Sequence, residues 1–332
     1  IILNFKANAE SWSEAIMKGN RLALVKAITL MESTRPEDKK MAGEILKFIS
    51  TPKDKSLRIG VTGAPGVGKS TLIEALGMAE IESGNKPAVL SIDPSSMLTK
   101  GSILGDKSRM VALSAHPEAY VRPSSAGIFL GGLASHTYES LLLCEAAGFN
   151  RIFIETVGTG QSEISVFSLC DITLLLIQPG SGDDLQAIKK GIMEWADIFV
   201  VTKDDGEFTS KASLTFKDVK TGLGFHNSEN GFVQKKVMKV SVHNQNSIAV
   251  LKNHIEECFN ILVANNQMEV LRGKHLAQFF NLEWPRLLQN YLMQDEKTIH
   301  FIDELTFNLE NSKLDLENAI QKLIRFIFAR HF

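Results

Sequence analysis

The sequence predicts an α/β fold with a doubly wound, mostly parallel β-sheet and helical segments before and after it. Three observations predict it. Short apolar runs recur between residues 57 and 241, helix-patterned segments separate them, and a glycine-rich loop follows the first run. The runs are apolar on successive residues, which is typical of strands buried on both faces of a parallel sheet. Strands that alternate with helices in this way build a doubly wound sheet.

The predicted elements follow one another from residue 57 to residue 263. The predicted strands span residues 57–62, 88–93, 151–156, 172–177, 198–202 and 237–241. The predicted helices span residues 69–83, 133–147, 183–195 and 247–263. Residues 207–234 are polar and weakly patterned, and predict an insertion or a poorly packed helix and loop. Because ligands bind beyond the carboxyl ends of the strands in such sheets, the motifs at those ends form the candidate site.

We predict three regions along the chain. Residues 1–55 form an N-terminal helical extension, in which Pro36 starts a helix. Residues 56–265 form the sheet-containing domain, and residues 266–332 form a C-terminal helical region. In this last region five apolar residues make one helical stripe: Leu316, Ile320, Leu323, Ile324 and Ile327. Such a stripe packs either against its own subunit or against a second copy, and we interpret it as a dimerisation arm.

Composition excludes several classes of protein. Of the 332 residues 44% are hydrophobic and 22% are charged, so the chain is expected to fold. The net charge of −2 and the absence of a basic run argue against non-specific nucleic-acid binding. The three cysteines lie far apart, which predicts neither a disulfide framework nor a zinc site. No apolar run reaches the ~18 residues that span a bilayer. We therefore expect a cytoplasmic protein, or a mitochondrial matrix protein if the chain is eukaryotic and lacks its leader.

The glycine-rich loop matches the pattern G-x-x-x-x-G-K-[ST] in full and stands between a predicted strand and a predicted helix. Backbone N–H groups of such a loop cradle phosphates, the lysine reaches the β- and γ-phosphates, and the hydroxyl binds Mg²⁺. The pattern predicts a P-loop NTPase. The loop consists of Gly63, Ala64, Pro65, Gly66, Val67, Gly68, Lys69, Ser70 and Thr71.

Carboxylates follow the second and third of the predicted strands. Asp93 ends one of them, where it would orient the attacking water or hold Mg²⁺ indirectly, although an Asp there can also cap a helix. Asp106 lies beside two cations and is a second candidate. Glu155 and Gly158 take the places of Asp and Gly in the D-x-x-G pattern of many P-loop GTPases. Such loops become ordered around the γ-phosphate. Gln161 is either a water-orienting residue or an ordinary surface glutamine.

A base-recognition motif ends the strand at residues 198–202. Thr202, Lys203 and Asp205 fit [NT]-K-x-D, in which the final carboxylate accepts hydrogen bonds from guanine N1–H and the exocyclic amine. A carboxylate would meet the N1 lone pair of adenine repulsively, so the motif favours guanine. The alternative is a solvated loop of charges. Further candidates at the end of the next strand are Ser241, Val242 and His243.

Several blocks go beyond what P-loop chemistry requires, and together they resemble one family. The blocks are residues 93–96 (DPSS), 101–110 (GSILGDKSRM), 141–149 (LLLCEAAGF), 155–158 (ETVG) and 179–192 (PGSGDDLQAIKKGI). They are similar to those of the MeaB/ArgK-type G-protein chaperones, which act on adenosylcobalamin-dependent methylmalonyl-CoA mutase. The resemblance covers nearly the whole chain and is strongest from Arg58 to Asp205.

The resemblance implies a dimeric G domain that binds GTP or GDP with Mg²⁺ and carries helical additions at both ends. Its nucleotide state would gate the loading of adenosylcobalamin onto the mutase and protect the loaded enzyme. The cobalamin would therefore concern this chain only through the partner. Residues 179–190 would correspond to an additional switch that transmits the partner's presence to the nucleotide.

The sequence also departs from the family pattern. Thr202 replaces an asparagine, Val242 and His243 replace Ala-Leu, no arginine follows Thr137, and residues 207–234 match poorly. These departures bear on guanine affinity and on partner-stimulated turnover.

Three hypotheses follow. In the first, a regulatory GTPase uses Lys69 and Mg²⁺ to stabilise charge, while Ser70, Glu155 and Asp106 arrange the metal and Asp93 orients water. In the second, the chain is a P-loop ATPase or kinase linked to basic amino acid transport, as an older family label has it. A preference for GTP or ATP separates these two. The third is a binding module that does not hydrolyse nucleotide.

Overall fold

The computed structural model describes residues 8–33, 35–50, 56–92, 110–122, 133–156, 167–180, 190–224 and 233–331. In these residues a parallel seven-stranded sheet has the order β3-β2-β4-β1-β5-β6-β7. Its strands are β1 (Leu57–Gly63), β2 (Pro87–Ile92), β3 (Tyr120–Arg122), β4 (Arg151–Thr156), β5 (Ile172–Ile177), β6 (Ile198–Val201) and β7 (Lys236–Lys239). The predicted doubly wound parallel sheet is confirmed.

The helices that precede and surround the sheet are α1 (Ala9–Met17), α2 (Arg21–Met31), α3 (Pro36–Phe48), α4 (Lys69–Glu82), α5 (Val111–Ala115), α6 (Leu133–Ala146), α7 (Lys190–Trp195), α8 (Thr209–Gly224) and α9 (Gln245–Ala264). The helices α10 (Gln267–Leu292), α11 (Glu296–Glu310) and α12 (Leu316–His331) follow. Local chemistry explains several starts: Asn8, Asn20 and Asn244 accept N–H bonds at helix N-caps, and Pro36 opens α3.

Alternate residues of the central strands enter cores on opposite faces of the sheet. On β4, Phe153 packs into the core shared with α4 and α9, whereas Ile152 and Ile154 pack into the other core. That second core also contains buried residues of α1, α2 and α3, such as Ile16 and Ile28. Burial on both faces explains why the strands read as continuous apolar runs.

The chain divides into two compact units, and among the described residues the division falls inside α10, between Phe279 and Phe280. The three domain boundaries inferred from the sequence stay predictions. Of the helices in the described ranges, none combines the length and the apolar character needed to cross a membrane.

Two segments differ in detail from the sequence prediction. The edge strand β3 was not predicted, because three residues are too few to show a pattern. For residues 207–234 the sequence predicts an insertion or a poorly packed helix and loop; part of this stretch is indeed a helix, α8, but it is packed, since it buries Ala212, Thr215 and Val219 against the sheet. Of the predicted helix 183–195, residues 183–189 lie outside the described residues.

A buried ion-pair network lies at the amino ends of β1 and β5, opposite the motif-bearing edge. The Arg58 guanidinium donates to both carboxylate oxygens of Glu145, at 2.8 and 2.9 Å. Arg272 of α10 donates to both oxygens of Asp171, at 2.8 and 2.6 Å. The Arg58 backbone N–H donates to Asp171 at 2.9 Å. Because each carboxylate is paired, the network ties α6, α10 and two strands together without a bare buried charge.

Residues 280–331 form the second compact unit with the helices α11 and α12. The rings of Phe301 and Phe326 stack at 4.3 Å, and Arg330 donates to both carboxylate oxygens of Asp295 at 2.7 and 2.9 Å. Along α12 the side chains at every fourth position are 48% to 65% exposed: Leu316, Ile320, Ile324 and Phe328. Of the predicted apolar stripe, Leu316, Ile320 and Ile324 are therefore exposed in the single chain, whereas Leu323 and Ile327 are half-buried.

Candidate nucleotide-binding site

The phosphate loop lies at the carboxyl end of β1. In the sheet β1 lies between β4 and β5, and the strand order reverses there. Gly63 has φ +146°, and a Cβ at this position would lie 2.5 Å from the carbonyl oxygen of Leu176. Any side chain there would collide with β5. Gly66 and Gly68 also have positive φ, +77° and +102°. Conformations of this kind, alternating along the chain, produce concave loops of N–H groups that bind anions.

The helix α4 begins directly after this loop. Gly68 is its N-cap and has no side chain that could bond the N–H groups of the first turn. Those groups and the positive end of the helix dipole favour an anion at this point. The Lys69 ammonium donates to the carbonyl oxygens of Gly63 and Ala64, at 2.7 and 3.0 Å, and the residue is only 8% exposed. The structure therefore places the Lys69 ammonium at the phosphate loop, where the sequence pattern predicts it to contact phosphates.

Ser70 and Glu155 are brought together. The Ser70 hydroxyl donates to the Glu155 carboxylate at 2.7 Å, and the Ser91 hydroxyl donates to its other oxygen at 3.3 Å. Glu155 pairs with Val61 of β1 and with Ser91 of β2 in the parallel register, so it stands beside the phosphate loop. A hydroxyl and a carboxylate at this spacing are hard oxygen ligands of the type that Mg²⁺ binds together with phosphate oxygens and water.

Two residues of the candidate base motif, Thr202 and Lys203, contact the phosphate loop directly. The Thr202 hydroxyl donates to the carbonyl oxygen of Val67 at 3.0 Å and lies 3.3 Å from that of Ile177. Lys203 has φ +55°, and its ammonium donates to the carbonyl oxygen of Gly66 at 3.3 Å. Although threonine replaces asparagine at residue 202, its hydroxyl still fastens the base motif to the phosphate loop.

Asp205 and Ser241 meet where β6 and β7 end. The Ser241 hydroxyl donates a hydrogen bond to the Asp205 carboxylate and accepts one from the backbone N–H of His243 at 3.2 Å. Val242 is partly buried against the core, and the side chain of His243 is exposed. Asp205 thus stands at the sheet edge that carries the phosphate loop.

Four predicted residues lie outside the described residues: Asp93, Asp106, Gly158 and Gln161. Within the described ranges, no group of three or more His, Cys, Asp or Glu side chains could hold a metal ion. Sequence reasoning gave Ser91 no role, because its contact with Glu155 depends on strand register. A serine at the carboxyl end of a strand beside the phosphate loop was the available signal.

Comparison with known proteins gives a consistent picture. The family model described as "Methylmalonyl Co-A mutase-associated GTPase MeaB" matches residues 24–296. "GTPase ArgK" of Escherichia coli is 34% identical over 317 residues, which cover 96% of both chains. "Probable GTPase Rv1496" of Mycobacterium tuberculosis is 44% identical over 258 residues, covering 78% of this chain and 77% of that protein.

Two further relatives extend over almost the whole chain. "Methylmalonic aciduria type A homolog, mitochondrial" of Caenorhabditis elegans is 35% identical over 332 residues, covering 97% of this chain and 83% of that protein. A crystal structure titled "LAO/AO transport system kinase" superposes with a TM-score of 0.78 at 28% identity, covering 98% of this chain and 99% of that one. With its complete phosphate loop, the chain is a P-loop GTPase and belongs to the MeaB family of methylmalonyl-CoA mutase-associated GTPases.

Proposed function

We propose that this GTPase serves an adenosylcobalamin-dependent acyl-CoA mutase, most directly methylmalonyl-CoA mutase, and that its nucleotide state gates cofactor loading and protection of that enzyme. One observation carries the proposal. The match to the mutase-associated family spans residues 24–296, so it includes helices on both sides of the nucleotide-binding fold. Helices that hydrolysis alone does not require are available for contacts with a partner.

In this proposal Asp205 selects guanine. Its carboxylate would accept hydrogen bonds from N1–H and from the exocyclic amine, with Ser241 holding it in place. Thr202 and Lys203 fix the motif to the phosphate loop, so base and phosphates are read by one connected structure. Adenine would leave the carboxylate without a donor at N1, which disfavours it.

The remaining site residues would act on the phosphates. Lys69 would place a positive charge beside the β- and γ-phosphates, and the loop N–H groups would hold the phosphate oxygens. Ser70 and Glu155 fit a Mg²⁺ ion because both are oxygen ligands and stand in direct contact. Bound there, the ion would neutralise charge on the phosphates. Asp106 stays a proposed contributor to metal binding and Asp93 a proposed water-orienting residue.

The segment that the family resemblance assigns to partner signalling begins beside the phosphate loop. Leu176 of β5 faces Gly63, and the carbonyl oxygen of Ile177 contacts the Thr202 hydroxyl. Three residues after Ile177, the Gly180 N–H donates to the Thr215 hydroxyl of α8 at 3.0 Å. Through these contacts the start of residues 179–190 is connected to the phosphate loop at Gly63 and to the base motif at Thr202. They support the proposed switch, most of which lies outside the described residues.

We expect a candidate mutase to be retained in a nucleotide-dependent way. The immobilised GTPase is incubated with purified adenosylcobalamin-dependent acyl-CoA mutases, once with a non-hydrolysable GTP analogue and once with GDP. Retention should differ between the two states, because a gate must bind the partner differently in each. A Lys69→Ala variant is the matched control. It should lose the difference in mutase retention between the two nucleotides, because Lys69 is proposed to contact the γ-phosphate that GDP lacks. Equal retention in both states, or none at all, would contradict the gating role.

We also propose that the exposed stripe of α12 is covered by a second copy of the chain. Four apolar side chains at every fourth position form one continuous face, and monomers rarely leave such a face open. Light scattering after size exclusion should give a dimer mass for the wild type. The variant Ile324→Glu should be monomeric, since a carboxylate would be buried in the interface. A wild type that is monomeric at every concentration would contradict this proposal.

A further inference from the structure

The base motif of this chain contains two adjacent carboxylates. Asp204 occupies the variable position of the motif and directly precedes Asp205, the residue proposed to read guanine. Guanine presents only neutral N–H donors to Asp205. The base therefore brings no formal charge to offset the second carboxylate. Repulsion between neighbouring carboxylates disfavours a fixed arrangement of either one unless a cation is close.

That cation is Lys239, the last residue of β7. Its ammonium lies 3.3 Å from Oδ1 and 3.2 Å from Oδ2 of Asp204. It also donates to the Ser213 hydroxyl of α8 at 3.1 Å. The two charged side chains are 31% and 21% exposed, so the pair is shielded from bulk water on most sides. One ammonium thus joins the base motif, β7 and α8.

The two residues that follow Lys239 also form hydrogen bonds with the base motif. The carbonyl oxygen of Val240 accepts the backbone N–H of Asp204 at 3.2 Å. The hydroxyl of Ser241 donates to the carboxylate of Asp205. Three consecutive residues, from Lys239 to Ser241, therefore bind the two consecutive aspartates. The Lys239 ammonium links the Asp204 side chain to Ser213 of α8 and leaves the Asp205 carboxylate to Ser241 and the base.

We propose that Lys239 is a positioning residue for guanine recognition: by neutralising and anchoring Asp204, it keeps the Asp205 carboxylate aligned for both guanine donors. This inference rests on the proposed role of Asp205. It assigns to β7 and α8 a part in nucleotide selectivity. It also explains how an acidic residue is tolerated at the variable position of the motif.

The test compares dissociation constants for GDP and IDP, because inosine lacks the exocyclic amine and keeps N1–H. The ratio of the two constants therefore reports how well Asp205 receives the second donor. In Lys239→Met the preference for GDP over IDP should fall roughly three- to tenfold, the value of about one hydrogen bond. In Lys239→Arg, which keeps the charge, the preference should stay near that of the wild type.

The double variant Asp204→Asn with Lys239→Met tests the charge argument more directly. Removing both charges should restore the preference for GDP to within about threefold of the wild type, since the repulsion is gone. An unchanged GDP/IDP ratio in Lys239→Met would overturn the inference, and so would a double variant no better than the single one. Should Lys239→Met fail to fold, Lys239→Gln, which keeps a donor for Ser213, carries the same test. A wild type that binds neither nucleotide would instead overturn the proposed function.

Discussion

Replacing Lys69 with alanine is expected to lower GTP hydrolysis by roughly a thousandfold, which in practice abolishes it. The ammonium lies at the phosphate loop, 2.7 and 3.0 Å from the carbonyl oxygens of Gly63 and Ala64. A triphosphate bound there would contact this ammonium, and in the variant the charge that develops during phosphoryl transfer would lose a stabilising side-chain cation. The measurement is phosphate release under single-turnover conditions.

An exposed lysine supplies the matched control. Lys86 pairs with Glu118 at 3.4 Å, and both side chains are about half exposed. Lys86→Ala should therefore hydrolyse GTP at the wild-type rate, because an exposed pair contributes little. Thermal unfolding without nucleotide shows whether either variant is misfolded. Hydrolysis by a folded Lys69→Ala protein at near wild-type rate would remove Lys69 from the catalytic site.

Replacing Asp205 with asparagine is expected to weaken GDP binding by roughly a hundredfold and to create affinity for xanthosine diphosphate. Xanthine carries a carbonyl group where guanine carries its exocyclic amine. An asparagine amide can accept from N1–H and donate to that carbonyl, whereas it presents a donor to the guanine amine. Because asparagine has nearly the same shape as aspartate, the change alters hydrogen bonding rather than packing.

The control for this change is Asp218→Asn, an exposed position on α8. It removes the same charge from the same protein and should leave both affinities unchanged. Retained GDP affinity in Asp205→Asn, without any gain for xanthosine diphosphate, would show that Asp205 does not read the base. Competition titrations with a fluorescent guanine nucleotide give the dissociation constants of both nucleotides for the wild type and for the two variants, six in all.

The phosphate loop and its sheet could be predicted because their signals are local. Gly63, Gly68 and Lys69 belong to one short pattern, and the strand and helix on its two sides are continuous in sequence. Glu155 was predicted because it ends an apolar strand, and parallel strands bring such ends to one edge. The structure places its carboxylate 2.7 Å from the Ser70 hydroxyl, and its role in metal binding stays a prediction.

Other features depend on register between distant segments, which a single sequence does not show. Ser91 contacts Glu155 because β2 and β4 are neighbours in one particular register. Lys239 and Asp204 are 35 residues apart in the sequence, and they come into contact because β7 lies beside β6 in the sheet. Helix α8 was hard to predict because it buries few side chains. The roles of Asp93 and Asp106 stay predictions.

The central claim is that a guanine nucleotide occupies the loop between β1 and α4. Calorimetric titration of the wild-type protein with GDP and with ADP, in the presence of Mg²⁺, tests this claim most directly. One equivalent of GDP per chain should bind, at least about a hundredfold more tightly than ADP. Tighter binding of ADP, or no heat from GDP at protein concentrations high enough to detect millimolar affinity, would contradict it.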